Sequence, residues 1–107
     1  MFGMPSFVHP SLDDVALPVA LHALADPVRL EMVRNLIASP ALTCTATCPT
    51  IPKSTLSNHF RVLRQAGLVR TSSEGREARN ALRREEFDRR FPGLLEAVLA
   101  QADPAAV

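Results

Sequence analysis

The sequence predicts a single, mainly helical domain with one small β-hairpin. Its 107 residues, 47% of them hydrophobic and 21% charged, are enough for one core and too few for two domains. Apolar residues recur at helical spacing in several stretches, and prolines, glycines or capping residues mark where these stretches begin and end. A later stretch, residues 68–82, instead has strand-like residues on both sides of a turn. The predicted order of elements is therefore helix, helix, short helix, helix, hairpin, helix. The domain is expected to cover residues 18–102, with a C-terminal tail at 103–107.

The N-terminal part of the chain is predicted to form an extended arm followed by a short helix. Prolines interrupt residues 1–17, and two neighbouring aspartates, Asp13 and Asp14, favour an additional turn before the helix. Pro18 fits the first turn of a helix, where its missing N–H costs nothing. The first helix is therefore expected over residues 18–25.

A second helix is predicted from Pro27 to about Ala38. Asp26 is a favourable N-cap, and proline is favourable at the first helical position that follows. Its apolar stripe consists of Val28, Leu30, Met32, Val33, Leu36 and Ile37. Residues 39–52 are rich in proline and threonine, so at most a short, distorted helix is expected there.

The helix predicted over residues 53–66 has two contrasting faces. Leu56, Phe60 and Leu63 follow one another at spacings of four and three residues, which places them on one buried stripe. Gly67 is in the position of a left-handed C-terminal cap. The opposite face is polar, with Thr55 and Ser57 on its flanks, and it carries Ser54, Asn58, Arg61 and Gln65.

A two-stranded hairpin and a last helix are predicted for the C-terminal third. Residues 68–71 are strand-like, and residues 76–82 partly alternate between apolar and polar after an intervening turn. The last helix is expected over residues 84–102. The Pro92–Gly93 pair must kink or divide it.

The net charge of +1 conceals an uneven distribution along the chain. Residues 1–52 carry two arginines against four acidic residues, whereas residues 53–84 carry eight basic residues against two acidic ones. The local charges are thus −2 and +6, and the remainder of the chain carries −3. A basic segment in a nearly neutral protein predicts a surface that faces a polyanion, because phosphate contacts release condensed counterions. The alternative is a solvated charged face.

Two stretches resemble the ArsR-type winged helix-turn-helix regulators. They are residues 24–30, LADPVRL, and residues 53–69, KSTLSNHFRVLRQAGLV. In that family the first stretch joins helices 1 and 2, and the second contains the recognition helix and the start of the wing. The resemblance covers about residues 18–100. It implies a winged helix-turn-helix fold (α-α-α-α-β-β-α) and a homodimeric transcriptional regulator, expected to be a repressor, that binds an inverted-repeat DNA operator.

The resemblance and the chemistry of the polar face predict the same DNA contacts. The expected set is Lys53, Ser54, Thr55, Ser57, Asn58, His59, Arg61, Arg64, Arg76 and Arg79. Asn58 can pair bidentately with adenine, and the small hydroxyls can reach base edges or phosphates. Lys53 adds charge near the helix N-terminus, where the dipole already favours phosphate.

The other predicted contacts concern the DNA backbone. Arg61 and Arg64 are expected to contact phosphates, and the wing residues Arg76 and Arg79 the backbone or minor groove. A solvated role is the alternative for each arginine. His59 lies nearer the core side of its helix, so we expect a partly buried ring or a phosphate donor.

The resemblance further implies that helix 1 and the last helix join two copies of the chain. The apolar residues available for this contact are Leu17, Val19, Leu21, Leu24, Leu94, Leu95, Val98 and Leu99. The alternative is that all of them belong to the intramolecular core. Because helix 1 is short, Phe2 and Phe7 of the arm are further candidates for a contact with the second subunit.

Two cysteines, Cys44 and Cys48, are the candidates for a sensing site. The sequence lacks the closely spaced cysteines of arsenic sensors and has no histidine in the last helix. A pair four residues apart shares one face if the segment is helical. Three roles stay open: inert packing, binding of Zn(II) or As(III) with ligands such as His9 or His22 completing a zinc site, and thiol redox chemistry. No cofactor is required.

Several classes of protein are excluded by what the sequence lacks. No apolar run approaches the ~20 residues that span a bilayer, and no signal peptide is evident, so a cytoplasmic location is expected. There is no glycine-rich phosphate loop and no nucleophile elbow, and the only candidate catalytic pair is Cys44 with His59. We therefore expect that the protein is not an enzyme. The alternative function is a winged-helix module for protein or RNA contacts.

Overall fold

The computed structural model describes residues 7–39 and 42–102, which contain six α-helices and three strands. After a 3-10 turn at Leu12–Asp14, the helices and strands are α1 (Leu17–Ala23), α2 (Pro27–Ala38), β1 (Leu42–Thr43), α3 (Cys44–Thr47), α4 (Lys53–Gln65), β2 (Val69–Glu74), β3 (Glu77–Leu82), α5 (Arg84–Arg90) and α6 (Leu94–Gln101). This order confirms the predicted mainly helical fold with a hairpin. Among these helices, none has the length and apolarity that crossing a bilayer requires.

The helices begin and end near the capping and helix-breaking residues from which the sequence predicted their boundaries. The Asp26 carboxylate accepts a hydrogen bond from the Arg29 backbone N–H at 3.0 Å and so caps α2, which begins at Pro27. Gly67 ends α4 with a left-handed φ of +74°, and the next N–H donates to the Leu63 carbonyl at 3.0 Å. The aspartate pair forms the predicted extra turn before α1.

The wing is part of a three-stranded antiparallel sheet with the order β1-β3-β2. In β2 and β3, Val69 pairs with Leu82 and Thr71 with Asn80. The sequence predicted this hairpin but not β1, whose Leu42 also pairs with Asn80. The buried Asn80 side chain joins all three strands: it accepts from the Thr71 hydroxyl at 2.7 Å and donates to the Leu42 carbonyl at 3.2 Å.

The core lies between α4, α2 and the last helices. The predicted α4 stripe, Leu56, Phe60 and Leu63, is completely buried. Leu24 and Leu95 are also buried, with exposures of 4% and 0%. The prediction that these two leucines contribute to a dimer surface is wrong, because their side chains are already enclosed by their own chain.

The last helix is divided, as the sequence predicted. α5 ends before Phe91, and Gly93 has a φ of +78° immediately before α6 begins. Phe87 and Phe91 pack with ring centroids 5.2 Å apart. This break separates α5 from α6, and each contributes a buried residue to the same core, Phe87 and Leu95 respectively.

Two arginines hold the segment before α1 against the domain. Arg83 donates to the Pro10 carbonyl at 2.9 Å, and Arg90 donates to the carbonyls of Leu12 and Val15 at 3.1 and 3.0 Å. The side chains of Leu12 and Val15 are buried. From Pro10 onward, the predicted arm is therefore packed on the domain. Phe2 lies outside the described residues.

Candidate nucleic-acid interface

The polar face of α4 is open to solvent. Its exposed residues are Lys53, Ser54, Thr55, Ser57, Asn58, Arg61 and Gln65. The opposite side of the same helix is anchored by three fully buried apolar side chains. Short hydroxyl, amide and cationic groups on a rigid helix are suited to the donor and acceptor pattern of the major groove.

The N-terminal end of α4 retains free amide groups. Pro52 occupies the N-cap, and no side chain caps this end of the helix within the described residues. Its first-turn N–H groups, together with the positive end of the helix dipole, can bind a phosphate oxygen. Lys53 adds a positive charge at the same end.

α3 and α4 form a helix-turn-helix unit. α3 has only four residues, which agrees with the short helix expected in this proline- and threonine-rich segment. The Thr43 hydroxyl caps it by accepting from the Ala46 N–H at 3.3 Å, and the Asn35 amide donates to the Thr47 carbonyl at 2.6 Å. A turn then joins α3 to α4, and in it the Ile51 N–H donates a hydrogen bond to the Cys48 carbonyl at 3.1 Å.

Asn58 and Arg61 are neighbours on the exposed face. Arg61 Nη2 donates to Asn58 Oδ1 at 2.5 Å. The amide oxygen has a second lone pair, and the amide NH2 group has no partner among the described residues. Asn58 can therefore still offer one acceptor and two donors to a base.

Arg64 is half-buried and joins α4 to the wing and the arm. Its Nη1 donates to the Thr71 hydroxyl at 3.1 Å, and its guanidinium lies 4.8 Å from the centroid of the Phe7 ring. His9 Nε2 accepts a hydrogen bond from the Thr71 N–H at 2.9 Å. Phe7, predicted as a contact for a second subunit, thus packs on Arg64 of its own chain.

His59 lies at the edge of the exposed face, with its ring half-buried. Its Nδ1 is 3.2 Å from Nη1 of Arg29, a buried residue of α2. The sequence did not single out Arg29 as part of the interface.

The tip of the wing presents Arg76 to solvent. Gly75 has a φ of +63° and forms the turn between β2 and β3, and Arg76 follows it directly. Arg79, which lies within β3, forms an ion pair with Glu77 at 3.1 Å. Arg76 is therefore the wing arginine with the more open position.

Much of the basic segment is neutralised within the molecule. Arg70 and Arg83 both pair with Glu86, at 3.4 and 2.8 Å, and Arg84 pairs with Asp88 at 2.9 Å. Hydrogen bonding from Arg83 is the main reason that the pKa of Glu86 is lowered to about 2. The exposed cations without an ion pair, within the part of the chain described, include Lys53, Arg61 and Arg76.

The cysteine segment forms no thiol site among the described side chains. Cys48 is 3% exposed, and burial, followed by the nearby Glu31, raises the pKa of its thiol. The side chain of Cys44 lies outside the described residues. Among the side chains that are described, no three of the His, Cys, Asp and Glu residues come together as a metal site would require.

Among the buried polar residues that sequence reasoning missed are Arg29, Asn80 and Arg83. The sequence contains no sign of the carbonyl groups from other segments to which all three donate. Arg83 also has a partner near in sequence, Glu86. The position of Arg29 within the apolar α2 stripe was the one available indication.

A helix-turn-helix followed by a β-hairpin, with a polar second helix, defines a winged helix-turn-helix domain. Comparison with known proteins agrees. Residues 24–72 match a family described as a helix-turn-helix domain. The chain is also 36% identical, over 90 residues, to YceK of Bacillus subtilis (strain 168), an uncharacterized HTH-type transcriptional regulator. The match covers 80% of this chain and 89% of that protein.

The chain therefore belongs to the ArsR-like family of helix-turn-helix transcriptional regulators. This confirms the family resemblance of the two sequence stretches. Members of this family bind DNA and are not enzymes.

Proposed function

We propose that this protein is a homodimeric repressor that binds an inverted-repeat operator with α4 in the major groove. The observation that carries the proposal is the two-sided character of α4. Its apolar side is completely buried, so the helix is held rigidly, and its polar side is presented as one continuous exposed surface. A reading helix needs both properties.

Each class of side chain on this surface has a distinct expected role. Asn58 reads a base, and Ser54, Thr55 and Ser57 contact base edges or nearby phosphates. Lys53 and Arg61 neutralise phosphates on either side of the groove. The roles of His59 and Arg64 are phosphate contacts from the edge of the helix.

The wing extends the contact beyond the groove that α4 occupies. Arg76 is exposed next to the Gly75 turn, which supports a contact with the DNA backbone or the minor groove. Arg79 is a second candidate, although it must share its guanidinium with Glu77.

Apolar residues on α1 and α6 support the dimer. Leu17 and Leu21 of α1 are 47% and 43% exposed, and they share a face because they are four residues apart. Val19 is 42% exposed, and Leu94, Val98 and Leu99 of α6 are half-buried. A second copy would cover these side chains and impose two-fold symmetry on the operator.

Repression requires only that the bound dimer occupy the promoter. We further propose that Cys48 is a packing residue, because its buried thiol with a raised pKa disfavours the thiolate that binds metals or reacts with oxidants. An effector, if the regulator uses one, would then act elsewhere.

Fluorescence anisotropy of the reduced protein with the DNA upstream of its own gene tests the proposal. A scrambled duplex of equal length is the control. Salt-sensitive binding that prefers the upstream DNA supports it, and equal affinity for both duplexes would favour a module for protein or RNA contacts. Repeating the titration with Zn(II), As(III) and a mild oxidant should leave the affinity unchanged. The packing role would be contradicted if one of these agents abolished DNA binding by the wild type but not by a Cys44→Ser/Cys48→Ala variant.

A further inference from the structure

We infer that Arg29 is a positioning residue for DNA binding. It holds the His59 ring with Nδ1 as hydrogen-bond acceptor and the proton on Nε2, so that this N–H points from the edge of α4 toward a DNA phosphate. The DNA part of the inference rests on the proposed function. The tautomer follows from the geometry of two side chains and does not depend on it.

The guanidinium of Arg29 is fixed by carbonyl groups at the end of α1. Its Nε donates to the Ala23 carbonyl at 2.8 Å, and its Nη2 donates to the His22 carbonyl at 2.9 Å. The residue is only 7% exposed. Two hydrogen bonds from a planar group leave it little freedom, so the direction of the remaining Nη1 is also set.

The hydrogen bond from Nη1 determines the tautomer of His59. Nη1 lies 3.2 Å from His59 Nδ1, and a guanidinium can only donate hydrogen bonds. Nδ1 must therefore be the acceptor and carry no proton. In a neutral imidazole the proton is then on Nε2. An imidazolium, or the opposite tautomer, would place two donors against each other.

The Nε2 atom of the half-buried ring is not enclosed by the described residues. Nε2 has no hydrogen-bond partner within the described residues, and it is not among their buried polar atoms that lack one. His59 directly follows Asn58, so its side chain projects about 100° around the helix from the proposed base-reading residue. When a helix lies in the major groove, its flanks approach the phosphates that border the groove.

The tautomer is measured directly by NMR of the full chain with 15N-labelled histidine at neutral pH. We expect the His59 ring to show an unprotonated Nδ1 and a protonated Nε2. In an Arg29→Lys variant the fork of donors is lost, and this preference should be lost with it. A wild-type ring with the proton on Nδ1, or with both nitrogens protonated, would overturn the inference even if the variant did not fold.

The phosphate contact is tested with a matched pair of variants. In His59→Asn the amide occupies the position of Nδ1, so the contact with Arg29 is kept and the outer donor is lost. In His59→Gln the amide reaches the position of Nε2, so an outer donor is kept. We expect the asparagine variant to bind about 3- to 10-fold more weakly than wild type, and the glutamine variant to recover most of the loss.

The probe is a duplex of scrambled sequence at low salt, because a phosphate contact does not depend on sequence. Equal affinities of the asparagine variant and wild type would overturn the DNA part of the inference. That result is distinct from a failure of the proposed function, which would appear as a missing preference of the wild type for the upstream DNA. No binding to any duplex would contradict both.

Discussion

At the scale of single residues, Asn58 is the side chain that can carry most of the sequence information in the proposed interface. It is exposed, it stands on a helix whose other side is fully buried, and its amide can donate and accept at once. The surrounding hydroxyls and cations are less selective, because hydroxyls accept many partners and cations prefer phosphates. We therefore expect Asn58 to determine mainly the specificity of DNA binding, and the surrounding cations mainly its affinity.

Replacing Asn58 by alanine should weaken binding to the operator by about 1–3 kcal/mol and leave binding to scrambled DNA almost unchanged. Arg76→Ala is the matched variant. It should weaken both duplexes equally and reduce the slope of log affinity against log salt by about one. Anisotropy titrations at several salt concentrations measure both effects. Equal losses on the two duplexes for Asn58→Ala would remove this residue from base reading.

His9 makes the stability of the folded chain depend on pH. Its Nε2 accepts from the Thr71 N–H, and burial, followed by the charges of Arg70, Arg83 and Arg64, lowers its pKa below the ordinary 6.5. Between the lowered pKa of the native state and about pH 6.5, the unfolded chain therefore binds more of this proton than the native state does. The free energy of unfolding should fall as the pH drops from about 7.5 toward the lowered pKa.

Urea unfolding between pH 8 and 5 measures this dependence. In a His9→Gln variant the slope over that range should become smaller, because the group that takes up the proton is gone. His22→Gln, at an exposed position, is the control for replacing a histidine as such. An unchanged slope in His9→Gln would show that the contact with Thr71 does not resist protonation.

At the scale of elements, α4 and the hairpin could be predicted because their signals are local. Three apolar residues at helical spacing and the Gly67 cap define α4 within 15 residues. β1 could not be predicted, because Leu42 and Thr43 become a strand only by pairing with β3, almost 40 residues later. Residues 39–52, which contain both β1 and α3, are rich in proline and threonine. This composition predicted that α3 would be short, but it gave no indication of β1.

The buried arginines show the same limit. A sequence pattern treats an arginine as exposed, since the charge is costly to bury without partners. Arg83 has a partner close in sequence, Glu86, but it also donates to the Pro10 carbonyl, 73 residues away. The carbonyl partners of Arg29 lie in the last turn of α1. The exposure of the polar α4 residues was easier to predict, because it requires only that no other part of the chain covers them.

Gly67 links the end of α4 to the segment before α1. It has a left-handed backbone, and a Cβ added there would lie 2.7 Å from Leu12 Cδ1. Gly75, in the wing turn, is also left-handed, but among the described residues no neighbouring atom lies within 4 Å of such a Cβ. Comparing alanine substitutions at these two glycines therefore distinguishes the cost of backbone strain from the cost of a steric clash.

Gly75→Ala should destabilise the protein by about 1–2 kcal/mol, from the left-handed conformation alone. Gly67→Ala should cost more, because the buried Leu12 side chain must also shift to make room for the added Cβ. Denaturant midpoints of the two variants give the comparison. Equal losses would mean that the contact between Leu12 and the end of α4 contributes little.

At the scale of the whole molecule, the proposed function depends on two copies of the chain. One α4 can contact only one half-site, and the apolar residues of α1 that stay exposed in a single chain are those expected to meet the partner. The sequence analysis had also assigned Leu24 and Leu95 to this proposed surface, and both are buried within a single chain. Both leucines are apolar, as residues of an interface are, and only the packing seen in the structure could assign them to the core.

A Leu17→Glu/Leu21→Glu variant should sediment as a monomer while keeping its helical content. Charges on this face of α1 would have to be desolvated in a dimer. Val8→Glu is the control, because Val8 is 82% exposed and lies on the arm. Analytical ultracentrifugation at micromolar concentration distinguishes the states. A monomeric wild type, or a dimeric double variant, would place the interface elsewhere.

The central claim is that two copies of α4 read a symmetric DNA site. Selection of bound duplexes from a random pool by the wild-type protein tests it directly, because the pool offers symmetric and asymmetric sites alike. We expect an inverted repeat whose half-site centres are about one helical turn, roughly 10 bp, apart or a multiple of that distance. Enrichment of a single asymmetric site, or no enrichment over the starting pool, would contradict the claim.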